Sequence, residues 1–152
     1  MNIKKTALIA LGATAIAVSF GFAGIMGFRA FTKKIYTNRS CEWANIDHIE
    51  LRARINIPAI RDCDCNYDDT QKQKTSLFHI STAVVDMDQY VKRNRLKLNQ
   101  RAAQKATALF TDPDLRNAEN LYFRSGSSAS HDYVLLLNKQ TGTLGVRIDY
   151  KE

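Results

Sequence analysis

Residues 133–150 read YVLLLNKQTGTLGVRIDY, and the rest of the fold is worked out from this stretch. Tyr133 to Leu137 is a run of strand formers. Asn138-Lys139-Gln140-Thr141-Gly142 is turn chemistry, with glycine placed where the backbone needs positive φ. Leu144, Val146, Ile148 and Tyr150 then alternate with Gly145, Arg147 and Asp149, the period of a half-buried strand. The stretch predicts an antiparallel hairpin. Upstream, Leu121 to Phe123 is a short apolar run and Gly126 to Ser130 a small-residue turn, which extends the hairpin to a three-stranded meander.

Moving toward the N-terminus, Asp112-Pro113 is a helix stop. Helix is expected from Met87 to Phe110, with Asp86 as N-cap, Asp88 in the first turn and a break near Asn94–Asn99. Leu77, Phe78, Ile80, Ala83 and Val84 form an apolar patch expected to be strand. Residues 61–76 are polar and acidic and read as a loop. Ile49, Leu51, Ala53, Ile55 and Ile57 alternate with Glu50, Arg52, Arg54 and Asn56, which predicts a first strand ended by Pro58. The sum is an α+β domain: a small antiparallel sheet of four or five strands with one or two helices packed on one face. Glu119 to Ser125 (ENLYFRS) nearly matches a protease site used in expression tags. Arg124 stands where that site needs Gln, and the string lies inside a patterned domain, so it reads as native sequence.

The N-terminus is of a different kind. Thr6 to Phe28 carries no charge over 23 residues. As a helix at ~1.5 Å per residue it reaches ~34 Å, against a hydrocarbon core of ~30 Å. The apolar core of a cleaved signal peptide runs only about 7–15 residues. The expected organisation is therefore a single transmembrane signal anchor over 1–34, a linker over 35–45 and an extracytoplasmic domain over 46–152. Positive residues flank the apolar stretch on both sides. The short tail before it favours an N-terminus inside, with the domain facing the periplasm or exterior. Ala13, Ala17 and Gly21 recur every four residues, a small-residue stripe suited to helix association with itself or a membrane partner.

The formal charge of +7 suggests nucleic acid until it is divided along the chain. Of 22 Lys and Arg, Lys4, Lys5, Arg29, Lys33 and Lys34 belong to the apolar segment and its flanks, leaving 17 against 15 acids. The basic excess is mostly a membrane-flank effect. Cys41, Cys63 and Cys65 are candidates for one disulfide plus a free thiol, with Cys41 bridging to one of the other two. Its loop of some two dozen residues would contribute ~3 kcal/mol in the chain-entropy model. A metal or thiol chemistry on Cys63 and Cys65, with His48, His79 or His131, is the alternative. Asp62, Asp64, Asn66 and Asp68 resemble the opening of a calcium loop, but Tyr67 and Gln73 break that pattern.

Lys92, Arg93, Arg95, Lys97, Arg101 and Lys105 form a basic run without acids, suited to an acidic protein surface or to phosphates. With the acidic segment around Asp62, Asp64, Asp68 and Asp69 it is a candidate partner surface. No Gly-rich phosphate loop and no metalloprotease helix occurs, and Ser130-His131-Asp132 reads as turn chemistry. Trp43 is either a membrane-interface anchor or core. No catalytic residue, cofactor or metal is assigned. The expectation is a non-enzymatic, membrane-anchored binding module of a bacterial-type envelope, in the inner membrane, recognising another envelope protein. A membrane-tethered nucleic-acid binder acting through residues 92–105 is the third reading.

Overall fold

The computed structural model describes residues 18–28, 30, 34, 37 and 40–151. The chain divides into two compact units, Met1–Ile35 and Tyr36–Glu152. In the first, residues 18–28 are helical. Val18, Phe20, Phe22, Ile25, Met26 and Phe28 are all exposed. Among the described residues no helix is long and apolar enough to cross a membrane. Most of the expected anchor, with Ala13 and Ala17 of the small-residue stripe, lies outside the described residues. Gly21 has open space where a side chain would stand.

The second unit is α+β. Its helices are α1 (Trp43–Ala53), α2 (Met87–Arg93), α3 (Gln100–Thr107) and α4 (Pro113–Arg116). Its strands are β1 (Ile60–Asp68), β2 (Gln73–Ile80), β3 (Lys97–Leu98), β4 (Leu121–Ser127), β5 (His131–Asn138) and β6 (Thr143–Tyr150). All six strands join one antiparallel sheet in the order β1-β2-β6-β5-β4-β3. The meander is β4-β5-β6, and Gly142 sits at φ 78 in the β5–β6 turn. A Cβ there would stand 2.3 Å from the Ile80 carbonyl oxygen, so the turn requires glycine.

Several expectations are corrected. The strand expected over 49–57 is the helix α1 followed by an extended exit. Asn45, Ile49 and Ala53, at a spacing of four, form the buried face. Arg54 ends the helix in the left-handed region at φ 51. Ile55 and Ile57 are buried only after the chain has turned. Leu51, which a strand would have buried, is 79% exposed. The apparent alternation joins the end of one element to the start of the next.

The loop expected over 61–76 is the hairpin β1–β2. Asp62, Asp64 and Asn66 are exposed while Cys65 and Tyr67 are buried. The alternate acids are thus the outward row of a strand, not a calcium loop. With β1 and the two-residue β3, the sheet has six strands rather than four or five.

Helices also pack on both faces of the sheet, not one. The run Val134–Leu137 does not alternate, because β5 is apolar on both sides. Leu135 and Leu137 join Phe78, Leu144, Val146 and Ile148 in a core with Ile49, Met87 and Tyr90. Leu136 and Leu121 face the other way, onto Ala103, Ala106, Phe110 and Leu115. Gly145 allows that second layer to settle, since a Cβ there would meet Leu115 and Phe110 side-chain carbons at 2.7 Å.

The helical stretch after Asp86 behaves as expected, with both amides of Asp88 and Gln89 capped by the Asp86 carboxylate. It breaks at Asn94, Arg95 (φ 54) and β3. Asp112-Pro113, expected as a stop, instead starts α4: Asp112 caps the Asp114 amide and Pro113 occupies the first turn, where its missing N–H costs nothing.

Candidate functional site

The two charged segments lie at opposite edges of the sheet. Asp62 and Asp64 project from β1, an edge strand paired, among the described residues, only with β2. Asp68 closes the β1–β2 turn by accepting the amides of Thr70 and Gln71, and Asp69 is exposed in that turn. Lys92, Arg93, Arg95, Lys97, Arg101 and Lys105 are exposed along the end of α2, β3 and α3, at the far edge. Four strands separate β1 from β3, which carries Lys97. The two sets make two surfaces, not one site.

The cysteines converge. Cys63 and Cys65 point to the same face of β1, and Cys41, just before α1, brings its Sγ to 3.0 Å from that of Cys65. All three are thiols in the structure. Burial and the neighbouring thiols push Cys41 far above the usual thiol range, and burial likewise raises Cys65. Protonated, buried thiols are poor nucleophiles. Among the described residues no group of three or more His, Cys, Asp or Glu is arranged to hold a metal. His79 is on the opposite face of the sheet, 3.1 Å from the Thr143 hydroxyl.

Beneath α1 the sheet face turns polar. Tyr67 and Lys74 are cross-strand partners, as are His131 and Tyr150. Lys74 is fully buried and donates to Asn45 Oδ1 on α1. Burial lowers its ammonium to about 8. His48 Nε2 lies 2.9 Å from the Tyr150 hydroxyl, with the rings stacked. Burial first, then the positive field of Lys74 and Arg52, holds His48 down at about 4.

Arg124 is the hub of this region. Its guanidinium donates to the carbonyls of Ala53 and Arg54 at the end of α1 and of Asn94 at the end of α2. A cation there suits the negative ends of both helices. The guanidinium also lies 5.5 Å from the Tyr133 ring centroid. Tyr133 in turn covers Gly126, where a Cβ would stand 2.5 Å from the ring.

Between the end of α1 and the β4–β5 turn is a cleft of about 410 Å³. His48, Leu51, Arg52 and Arg54 form its α1 side. The hairpin side is Gly126, Ser127, Ser128, His131 and Tyr133. His131 Nε2 is 2.9 Å from the Arg52 carbonyl oxygen, which can only accept, so Nε2 carries a proton. Ser128 donates to the His131 carbonyl and accepts the amides of Ser130 and His131, as turn chemistry requires. Ser130 Oγ is 3.0 Å from His131 Nδ1 and accepts from Arg52 Nη1 at 3.0 Å.

No protein-family model matches the chain, and no significant match is found among curated proteins or solved structures. The cleft was missed from the sequence because its parts, α1 and the β4–β5 turn, are about 75 residues apart, with α1 read as a strand. The available signal was the SASHD string of 128–132, whose serine–histidine spacing is that of a local hydrogen-bonded turn. Arg124 was visible only as the residue that spoils a tag sequence.

Proposed function

We propose that this chain is a membrane-anchored, non-enzymatic binding module of a bacterial-type envelope that takes up an extended, basic segment of another envelope protein along β1. The observation that carries the reading is the edge strand itself. β1 is nine residues long, has β2 as its one strand neighbour among the described residues and presents Asp62, Asp64 and Asn66 outward. An open edge offers main-chain hydrogen bonds to an added strand, and alternate side chains supply selectivity. Like charges facing each other disfavour pairing of two β1 edges, so the acids select for a partner of opposite charge.

The anchor reading rests on the uncharged stretch Thr6–Phe28 and on the exposed apolar helix over 18–28. Trp43 supports it: at 77% exposed it is not core, and in sequence it follows soon after the basic flank Lys33-Lys34. The N-terminus inside, the single pass and the periplasmic domain belong to the same proposal, as does a Cys41–Cys65 bridge in that oxidising compartment. The metal and thiol reading on Cys63 and Cys65 has less support, because burial raises the Cys65 thiol.

The test is cross-linking in intact cells followed by purification through a C-terminal tag. One stoichiometric protein should be recovered, and lost on Asp62→Asn with Asp64→Asn. Recovery of the chain alone, or of the partner unchanged by those substitutions, contradicts the proposal. Neutralising Lys92, Arg93, Arg95 and Lys97 in parallel reports whether the far edge contributes.

A further inference from the structure

We propose that the cleft between the end of α1 and the β4–β5 turn binds a phosphate group carried on a small, partly apolar molecule. This site is independent of the β1 edge. Its volume, about 410 Å³, is that of a small-ligand pocket. Arg52 and Arg54 line it, the Arg52 guanidinium on Ser130 Oγ, and none of the described residues that line it carries a carboxylate. The acid next in sequence, Asp132, is taken by Lys151 Nζ at 2.7 Å.

A helix C-terminus ordinarily repels an anion, through the partial negative charge of its last carbonyls. Here those carbonyls are covered. His131 donates to Arg52 O, and Arg124 to Ala53 O and Arg54 O. The potential left at the mouth is that of the arginines. Arg52 is also held in place, since one of its five guanidinium N–H donors is fixed on Ser130 Oγ, and others can be shared with a phosphate. Tyr133 and the exposed Leu51 supply apolar surface beside the charge, which suits a phosphate ester more than a bare ion.

The measurement is titration of the detergent-solubilised full chain with phenyl phosphate, read by calorimetry and by thermal shift at constant ionic strength. Inorganic phosphate and benzoate form parallel arms. Phenyl phosphate is expected to bind and raise Tm, inorganic phosphate to bind more weakly, and benzoate more weakly still. Arg52→Gln with Arg54→Gln should reduce phenyl phosphate affinity by about ten-fold or more. Arg54→Gln alone, at an exposed side chain, keeps the test informative if the double variant fails to fold. Arg116→Gln, at an exposed position on α4 away from the cleft, should leave affinity unchanged. Absence of heat and of thermal shift at millimolar phenyl phosphate overturns the proposal. So does equal binding by the Arg54→Gln protein, equal loss in the Arg116→Gln protein, or benzoate binding as tightly as phenyl phosphate.

Discussion

The sheet face beneath α1 and α2 has two halves that differ in kind. One rung crosses Phe78, Leu144 and Leu137, all fully buried and apolar. Farther along the same strands the rungs carry Lys74, Tyr67, His131 and Tyr150, bridged to α1 through Asn45 and His48. The first half is closed to water. The second spends buried volume on groups that must each find a partner, which is costly unless every one is hydrogen-bonded. Its exposed rim is the cleft. The contrast assigns stability to the apolar half and ligand chemistry to the polar half.

The largest expected effect is in the apolar half. Leu144→Ala should destabilise the domain by about 3–4 kcal/mol in urea unfolding, since the site lies between packed strands with little room to collapse. A loss under about 1 kcal/mol would remove the distinction between the halves. Next is the Cys41–Cys65 pair. Oxidation should stabilise the chain by about 3 kcal/mol, an effect absent in Cys41→Ser. Arg124→Met should cost about 2–3 kcal/mol, because three helix-end carbonyls lose a charged donor at once.

The smallest effects are the sharpest test of the polar half, because they appear as pH dependence. His48 titrates ordinarily at 6.5 and is held at about 4 in the fold. Between those values the unfolded chain binds a proton that the folded chain refuses. Stability is therefore full above 6.5 and lost as pH falls toward 4, and His48→Gln should flatten that window. Lys74, lowered from 10.5 to about 8, adds stability above 10.5 that is lost as pH falls through 8. The raised Cys65 acts in the opposite direction at alkaline pH. The Lys74 effect is thus to be read as wild type minus Lys74→Met, with a difference that rises from pH 8 upward.

How much of this was legible follows the same division. The meander was readable because Gly142 and the alternation of Leu144, Val146 and Ile148 are local signals. Asp86 was readable as a cap for the same reason. The hairpin β1–β2 was hidden by composition: its outward row is Asp62, Asp64 and Asn66, and its inward row is cysteine and tyrosine, not aliphatic residues. Burial of Lys74 could not be foreseen, because a lysine is almost never buried without a partner, and its partner Asn45 lies on an element read as linker. α1 was misread because Ile49 and Ala53 satisfy both a spacing of two and a spacing of four. Only the exposure of Leu51 separates those periods. The second helical layer was announced by the unbroken run Val134–Leu137, which a one-sided sheet does not need.

The central claim is recognition along the acidic edge, and site-specific photo-cross-linking in living cells tests it most directly. A photoreactive residue replacing Asn66, on the outward row of β1, should yield one discrete adduct with another envelope protein. The same residue replacing Gln104, an exposed position on α3, should yield none. Absence of any adduct at position 66, or the same adducts from both positions, would contradict the account.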